Sequence, residues 1–199
     1  MAAIYIDDLK VDAPPVGLGV WQVAPAATQE LVSSALKLGY RLFDTAQGYL
    51  NEREVGAAVM SAEIDRREIR VTTKIQGIHH GYHETVHSLM ESLKSSGLAY
   101  FDQVLIHWPL PKKNKYLETW NALIECRARG LCREIGVSNF NVNHVDRLFH
   151  ETKVMPDVNQ IEIHPYFQQR LLRQQLGERG IRLESASPFA RGAVFSTRR

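Results

Sequence analysis

The sequence predicts an α/β protein built on a parallel sheet. Short runs rich in Val, Ile and Leu alternate with longer amphipathic segments, at a period of about 25 to 30 residues, as expected of successive β-α units. The chain has 199 residues, of which 44% are hydrophobic and 23% charged, an ordinary composition for one globular domain. Nothing resembles a linker, so we expect residues 1–199 to form a single domain.

Seven short apolar runs, each followed by polar residues or glycine, are the candidate strands. In order they are Val16–Val20, Arg41–Asp44, Ile69–Lys74, Gln103–His107, Glu134–Ser138, Val158–Ile161 and Arg182–Ala186.

The segments between these strands carry helix signals. The first, from Thr28 to Leu38, places Leu31, Ala35 and Leu38 on one face. Asn51 with Glu54 resembles a capping box for the next helix. Four glycines follow helical segments at the position where a left-handed helix end is expected: Gly39, Gly97, Gly130 and Gly180.

Seven strands alternating with helices fit either an open doubly wound sheet or a (β/α)8 barrel that has lost its end. A dinucleotide-binding open sheet carries Gly-x-Gly-x-x-Gly after its first strand. Here Gly17 and Gly19 are followed by Trp21 and Gln22, so the third glycine is missing. The sequence therefore favours the barrel.

Charge and composition argue against several classes of partner. Lys and Arg total 24 and Asp and Glu 22, so the net charge of +2 gives no reason to expect nucleic acid or a membrane surface. No apolar run approaches the roughly 18 to 20 residues of a bilayer span, and Asp7 and Asp8 interrupt any signal peptide. We therefore expect a cytoplasmic protein, with Cys126 and Cys132 as structural thiols.

Polar residues gather at one end of the predicted strands. Because the carboxyl ends of parallel barrel strands converge, these side chains should form one site rather than six separate strand caps. They are Asp44, Lys74, His107, Ser138, Asn139 and Gln160.

Five segments in a fixed order resemble the signature segments of the aldo-keto reductases, and are similar in particular to the bacterial 2,5-diketo-gluconate reductase branch. They are Phe43–Glu52, Val71–Lys74, Leu105–Pro109, Gly136–Phe140 and Asn159–Glu162. The resemblance runs from about Val16 to Gly192, and implies a (β/α)8 barrel with about seven of its eight units present.

The resemblance also implies reduction of aldehydes or ketones, keto-sugars among them, by hydride from NADPH. Tyr49 would donate the proton, and Lys74 would make its phenol more acidic, since a free tyrosine titrates near pKa ≈ 10. Asp44 would pair with Lys74, and His107 would orient the substrate carbonyl or share the proton.

The same resemblance implies the binding residues. The cofactor would contact Ser138, Asn139 and Gln160 through its nicotinamide carboxamide, and Ser187 and Phe189 through the segment after the last strand. Trp21 and Trp108 would line an apolar substrate pocket. For these residues the alternative interpretations are strand-end capping and ordinary packing.

One motif competes with this interpretation. His83, Glu84 and His87 match His-Glu-x-x-His, the zinc-protease signature, on a predicted helix. The extended form of the motif fails at Met90 and Leu93, and the helix lies outside the predicted barrel, so we expect no metal. A surface metal site involving His79 and His80 is a weaker alternative to a solvated helix start.

The sequence departs from the family in length. The eighth strand, its helix and the usual binding segment for the adenosine 2′-phosphate have no counterpart, and Ala186 replaces the aromatic residue that stacks on nicotinamide. We expect a truncated chain, a frameshifted tail after Val194 or a chain completed by a partner. Three hypotheses follow: a working, family-like monomeric reductase, an inactive binding or regulatory relic, and a protein that self-associates through open barrel edges.

Overall fold

A computed structural model describes residues 16–196. These residues form one sheet of seven parallel strands whose spatial order is the order in the chain. The sheet is curled, because side chains of strands far apart in that order meet on its inner face. Gln160 of the sixth strand donates a hydrogen bond to Asp44 of the second at 2.8 Å, and Gln103 of the fourth donates to Glu184 of the seventh at 3.2 Å.

All seven predicted strands are present, with shifts of up to two residues at their ends. The strands are β1 (Leu18–Gly19), β2 (Leu42–Asp44), β3 (Arg70–Ile75), β4 (Phe101–Ile106), β5 (Cys132–Ser138), β6 (Val158–Glu162) and β7 (Arg182–Ala186). The helices are α1 (Pro25–Lys37), α2 (Glu52–Met60), α3 (Tyr82–Ser96), α4 (Tyr116–Ala128), α5 (Val142–Thr152), α6 (Arg170–Gly177) and α7 (Ala193–Ser196).

Helix α1 confirms the predicted helix, and of the three residues predicted to share a face only Ala35 is buried. Its buried residues are Thr28, Val32, Ala35 and Leu36. Leu38 is 80% exposed because the helix ends at Lys37, and Leu31 faces partly into water. The predicted left-handed end is present, with Gly39 at φ 94°.

The predicted capping box at Asn51 is wrong. Asn51 precedes α2, yet its side chain makes no capping bond and turns into the protein instead. Its amide donates to the carbonyls of Val20 and Val23 at 3.0 and 3.2 Å, and its carbonyl oxygen accepts from the Thr45 hydroxyl at 2.7 Å. This buried amide therefore joins the β1–α1 and β2–α2 connections.

The apolar core lies between the outer face of the sheet and the helices. Phe43, Val104, Ile106 and Trp120 are fully buried there, and each such side chain stabilises the fold by about 1.5–3 kcal/mol. Helices α2 and α3 touch closely at Gly56, where a Cβ would stand 2.0 Å from the Ser96 carbonyl oxygen. Any larger residue at this position would force the helices apart.

The inner face of the sheet carries charged residues instead. Arg70 and Arg182 both lie 2.7 Å from the same carboxylate oxygen of Glu134. Burial raises the pKa of Glu134, but the hydrogen bond and charge of Arg182 and the charge of Arg70 outweigh it and lower the pKa overall. A charged network thus links β3, β5 and β7 across the interior.

Strands β1 and β7 each pair on one side only within residues 16–196. Self-association through these edges stays a prediction. Cys126 and Cys132 are buried and unpaired, and burial raises the pKa of their thiols to about 11 and about 12. In the described part of the chain, every helix is too short or too polar to cross a bilayer.

Candidate active site

The polar residues predicted at the strand ends meet at the carboxyl end of the sheet. In the strand register Asp44 stands beside Thr72, and Ser138 beside Gln160. Lys74 lies one pleat further along β3 than Thr72, and His107 directly follows β4. The parallel register, rather than any local feature, brings these groups together.

Tyr49 is presented by a short 3-10 turn, Gln47–Tyr49, between β2 and α2. The turn is closed by a hydrogen bond from the Tyr49 amide to the Ala46 carbonyl at 2.9 Å, and it ends at Leu50 with a left-handed φ of 60°. The phenol consequently points back over the strand ends toward Lys74.

Lys74 is a buried cation with three oxygen partners. Its ammonium donates to the Asp44 carboxylate, to the Thr45 carbonyl at 3.1 Å and to the Tyr49 hydroxyl at 3.4 Å. Burial lowers the pKa of Lys74, but Asp44 and Tyr49 outweigh it and raise the pKa overall. The ammonium therefore stays charged although its side chain is 1% exposed.

The Tyr49 phenol differs from expectation in its acidity. Burial raises the pKa of Tyr49, Lys74 lowers it, and Asp44 raises it again, so that the net shift is upward. The predicted acidifying effect of Lys74 is present but smaller than the effect of burial. Tyr49 consequently keeps its proton at neutral pH.

His107 lies beside Tyr49, with ring centroids 5.7 Å apart in an edge arrangement. Burial, reinforced by the Lys74 charge, lowers the pKa of His107 to about 4. Its imidazole is therefore neutral at pH 7, able to donate one hydrogen bond and accept another but carrying no exchangeable second proton.

Ser138, Asn139 and Gln160 lie next to this cluster and are already hydrogen-bonded. The Ser138 hydroxyl donates a hydrogen bond to the backbone carbonyl of Gln160 at 2.9 Å. The side-chain amide of Asn139 donates to the backbone carbonyl of His107 at 3.1 Å. The Gln160 amide donates to Asp44 at 2.8 Å and Glu184 at 3.3 Å. Gln160 therefore supports Asp44 from the side opposite Lys74.

The remaining predicted site residues lie around the carboxyl end of the sheet. Trp21 and Trp108 are 43% and 52% exposed, which leaves their rings accessible to a ligand. Ser187 follows β7 with φ 52°, and exposed Phe189 packs on Phe195 with ring centroids 5.3 Å apart. Sequence reasoning missed Arg191, whose guanidinium lies 5.0 Å above the Trp21 ring.

The His-Glu-x-x-His segment lies on α3, as predicted, on the outside of the sheet. Among residues 16–196 no three His, Cys, Asp or Glu side chains are grouped so that they could hold a metal ion. His80 is buried, at 3% exposure, so it does not fit the suggested surface metal site with His79.

A second group that sequence reasoning missed lies behind the turn that carries Tyr49. Glu52 closes the motif segment that begins at Phe43, and the sequence alone indicates no role for it. Its carboxylate accepts hydrogen bonds from Thr73 and Ser92. The available signal was a second carboxylate, besides Asp44, in a motif of otherwise uncharged residues.

Fold and site together define a parallel α/β protein of the (β/α)8-barrel type, with a lysine, a tyrosine and a histidine at the carboxyl ends of its strands. The chain belongs to the aldo/keto reductase family, whose sequence model matches residues 15–199.

Similar proteins agree with this assignment. Over 194 residues the chain is 45% identical to 2,5-diketo-D-gluconic acid reductase B of Corynebacterium sp. (strain SHS752001). This alignment covers 98% of this chain and 70% of that protein. It is 43% identical to methylglyoxal reductase DkgA of Escherichia coli O157:H7, covering 90% of this chain and 64% of the relative. The chain thus spans about two thirds of the length of these relatives.

A crystal structure of a mutant of Gox0644 in complex with NADPH has a similar fold. It superimposes with a TM-score of 0.86 at 44% identity, over 91% of this chain and 65% of the other. The predicted barrel class is confirmed by this likeness.

Proposed function

We propose that this chain reduces small aldehydes and ketones, keto-sugars included, with NADPH, and that Tyr49 donates the proton. The observation that carries the proposal is the buried contact of the Lys74 ammonium with both Asp44 and the Tyr49 hydroxyl. A buried lysine held beside a protonated phenol is costly for folding alone, and suits a site where negative charge develops on an oxygen.

Each residue then has one task. A substrate carbonyl oxygen accepts a hydrogen bond from the Tyr49 hydroxyl, and neutral His107 holds the same oxygen from the side. As the oxygen gains negative charge, the Tyr49 proton moves to it, and Lys74 stabilises the phenolate that is left. Asp44 keeps Lys74 charged and aimed at the phenol, and Gln160 fixes Asp44.

The residues present fit a nicotinamide. NADPH, when bound, supplies the hydride for the carbonyl carbon. Its carboxamide needs hydrogen-bond acceptors, and within residues 16–196 no hydrogen bond reaches Oδ1 of Asn139 or Oε1 of Gln160. Ser138 would complete this binding group, and Ser187 with Phe189 would hold a more distant part of the cofactor.

Trp21 and Trp108 would form the walls of the substrate site, because both present exposed indole rings at the same end of the sheet as Tyr49. These flat apolar walls suit a small carbonyl compound or a sugar ring. Methylglyoxal and 2,5-diketo-gluconate, the compounds in the names of two relatives, are the first substrates to assay.

The test compares the parent chain with Tyr49→Phe, which removes only the hydroxyl. Binding of NADPH is followed by quenching of tryptophan fluorescence, and turnover by loss of NADPH absorbance with methylglyoxal at pH 7. We expect saturable binding in both chains and a fall in turnover of about 100-fold or more in the variant. Tyr40→Phe is the matched control, because Tyr40 precedes β2 at the opposite end of the sheet.

Retained turnover in Tyr49→Phe would overturn the assignment of the proton donor. Absence of NADPH binding up to millimolar concentration would favour the alternative, a catalytically inactive relic or a binding or regulatory subunit of the same fold.

A further inference from the structure

Behind the catalytic turn lies a cavity of about 330 Å³ on the helix side of β3. Every side chain that lines it is polar or charged, and His87, Glu91 and Ser95 are exposed to solvent at its opening. The lining comprises Gln47, Glu52, His79, His87, Ser88, Glu91, Ser92 and Ser95. The chemistry proposed above uses none of these residues.

Glu52 joins three elements at the wall of this cavity. It is the first residue of α2, and its carboxylate accepts a hydrogen bond from the Thr73 hydroxyl of β3 at 2.5 Å. Its second oxygen accepts from the Ser92 hydroxyl of α3 at 3.0 Å. Thr73 immediately precedes Lys74, so one end of this link fixes the strand that carries the cation.

The other end of the link reaches the turn that carries Tyr49. The Ser92 hydroxyl accepts a hydrogen bond from the side-chain amide of Gln47 at 3.2 Å. The side-chain oxygen of Gln47 in turn accepts a hydrogen bond from the backbone N–H of Gln76 at 2.9 Å. Gln47 begins the turn that Tyr49 ends, and Gln76 directly follows β3. A continuous chain of hydrogen bonds thus runs from the tyrosine turn to the lysine strand.

We propose that Glu52 is a positioning residue that sets the separation between the Tyr49 hydroxyl and the Lys74 ammonium from behind the site. The inference rests on the proposed function for its effect on turnover, but its geometry stands independently. Both carboxylate oxygens accept hydrogen bonds from hydroxyl donors, an arrangement that suits an ionised side chain, whose oxygens act only as acceptors.

The cost of holding this charge supports the proposal. Burial raises the pKa of Glu52, and the hydrogen bonds of Thr73 and Ser92 oppose that rise only in part. An apolar residue would fill the space at lower cost if Glu52 served packing alone. The other titratable groups at the cavity, His79, His87 and Glu91, make no hydrogen bond to Glu52 among the described residues.

The experiment compares Glu52→Ala and Glu52→Gln with the parent chain. We expect Glu52→Ala to lower kcat by about 10- to 100-fold with KM within about twofold, because a misplaced catalytic group slows the chemical step. The kcat of Glu52→Gln should lie between those of Glu52→Ala and the parent chain, because its side-chain amide keeps one acceptor for the Thr73 hydroxyl. Glu91→Gln makes the same change at the same cavity without touching the link, and should leave kcat unchanged.

A milder pair of variants covers the case in which Glu52→Ala fails to fold. Ser92→Ala removes the step between Glu52 and Gln47, whereas Ser95→Ala makes the same change one helical turn away on α3. We expect kcat to fall in the first and not in the second. Equal kcat in Ser92→Ala, Ser95→Ala and the parent chain would overturn the proposal.

Amide hydrogen exchange provides a readout that needs no turnover. Losing the link should speed exchange at Tyr49 and Gln76 in Ser92→Ala and leave it unchanged in Ser95→Ala. If the parent chain proves inactive, the proposed function fails while this measurement still decides the positioning role. Unchanged exchange at both amides would refute that role whatever the activity.

Discussion

Two regions of the sheet, the central strand β4 and the last strand β7, differ in how they are stabilised. All six residues of β4 are buried, whereas all five residues of β7 keep some exposure. Strand β7 pairs with β6 along its whole length, and Arg182 also ties it to Glu134 of β5 at 2.7 Å. Strand β4, beside the strand that carries Lys74, therefore belongs to a packed side of the sheet, whereas β7, which Ser187 and Phe189 follow, is partly open to solvent.

The largest effect that would test this comparison is expected at Lys74. Lys74→Met leaves the Asp44 carboxylate without its cation, and we expect a loss of about 3–5 kcal/mol in the free energy of unfolding. Turnover should fall by about 100-fold or more. Denaturant unfolding and the NADPH assay measure the two effects.

Asp44→Asn added to Lys74→Met provides the control, since it removes the stranded charge. We expect the double variant to regain part of the lost stability and none of the activity. Additive losses would mean that the ion pair contributes little to the packed side.

A matched pair of core variants tests the comparison directly. Ile106 of β4 is fully buried and Leu183 of β7 is partly buried, and both lie on the outer face against helices. We expect Ile106→Ala to cost about 2–5 kcal/mol, and Leu183→Ala about 2 kcal/mol or less, because water already reaches part of Leu183. Equal losses in denaturant unfolding would show that the two sides are packed equally well.

The smallest effect concerns His80, on the packed side between β3 and α3. Within residues 16–196 neither of its ring nitrogens has a hydrogen-bond partner, and burial, with the Lys113 charge, lowers the pKa of His80 to about 4. As pH falls from about 6.5 toward 4, the unfolded chain binds a proton that the folded chain refuses, so stability falls. Below that range both states are protonated and the loss is complete.

His80→Leu should therefore flatten the fall in stability over this interval by about one proton. The measurement is the urea midpoint at several pH values, with His107 present in both chains and contributing equally. Parallel curves for the parent and the variant would show that His80 keeps an ordinary pKa.

Most of the fold could be predicted because each parallel strand is a short apolar run that can be recognised in the sequence itself. The seven strands and the residues at their carboxyl ends followed from that pattern. The errors lie where contacts between residues far apart in the chain determine the conformation. The Asn51 side chain does not cap α2 because it donates hydrogen bonds to the carbonyls of Val20 and Val23, about 30 residues earlier in the chain.

The grouping of the candidate site residues was predictable from the sequence, and their electrostatics were less so. The motif segments named Asp44, Tyr49 and Lys74, and the structure brings them together. The upward shift of the Tyr49 pKa depends on burial, which no motif displays. The link through Glu52 to Ser92 joins residues 40 positions apart, and only the packing of α2 on α3 reveals it.

The strand order has a consequence for how the molecule is made. Because each strand pairs with the one before it in the chain, the sheet can lengthen one unit at a time as the polypeptide emerges from the ribosome. The contact between Gln160 and Asp44, 116 residues apart, is an exception that must wait for β6. The centre of the site is consequently finished late in synthesis, after the frame that surrounds it.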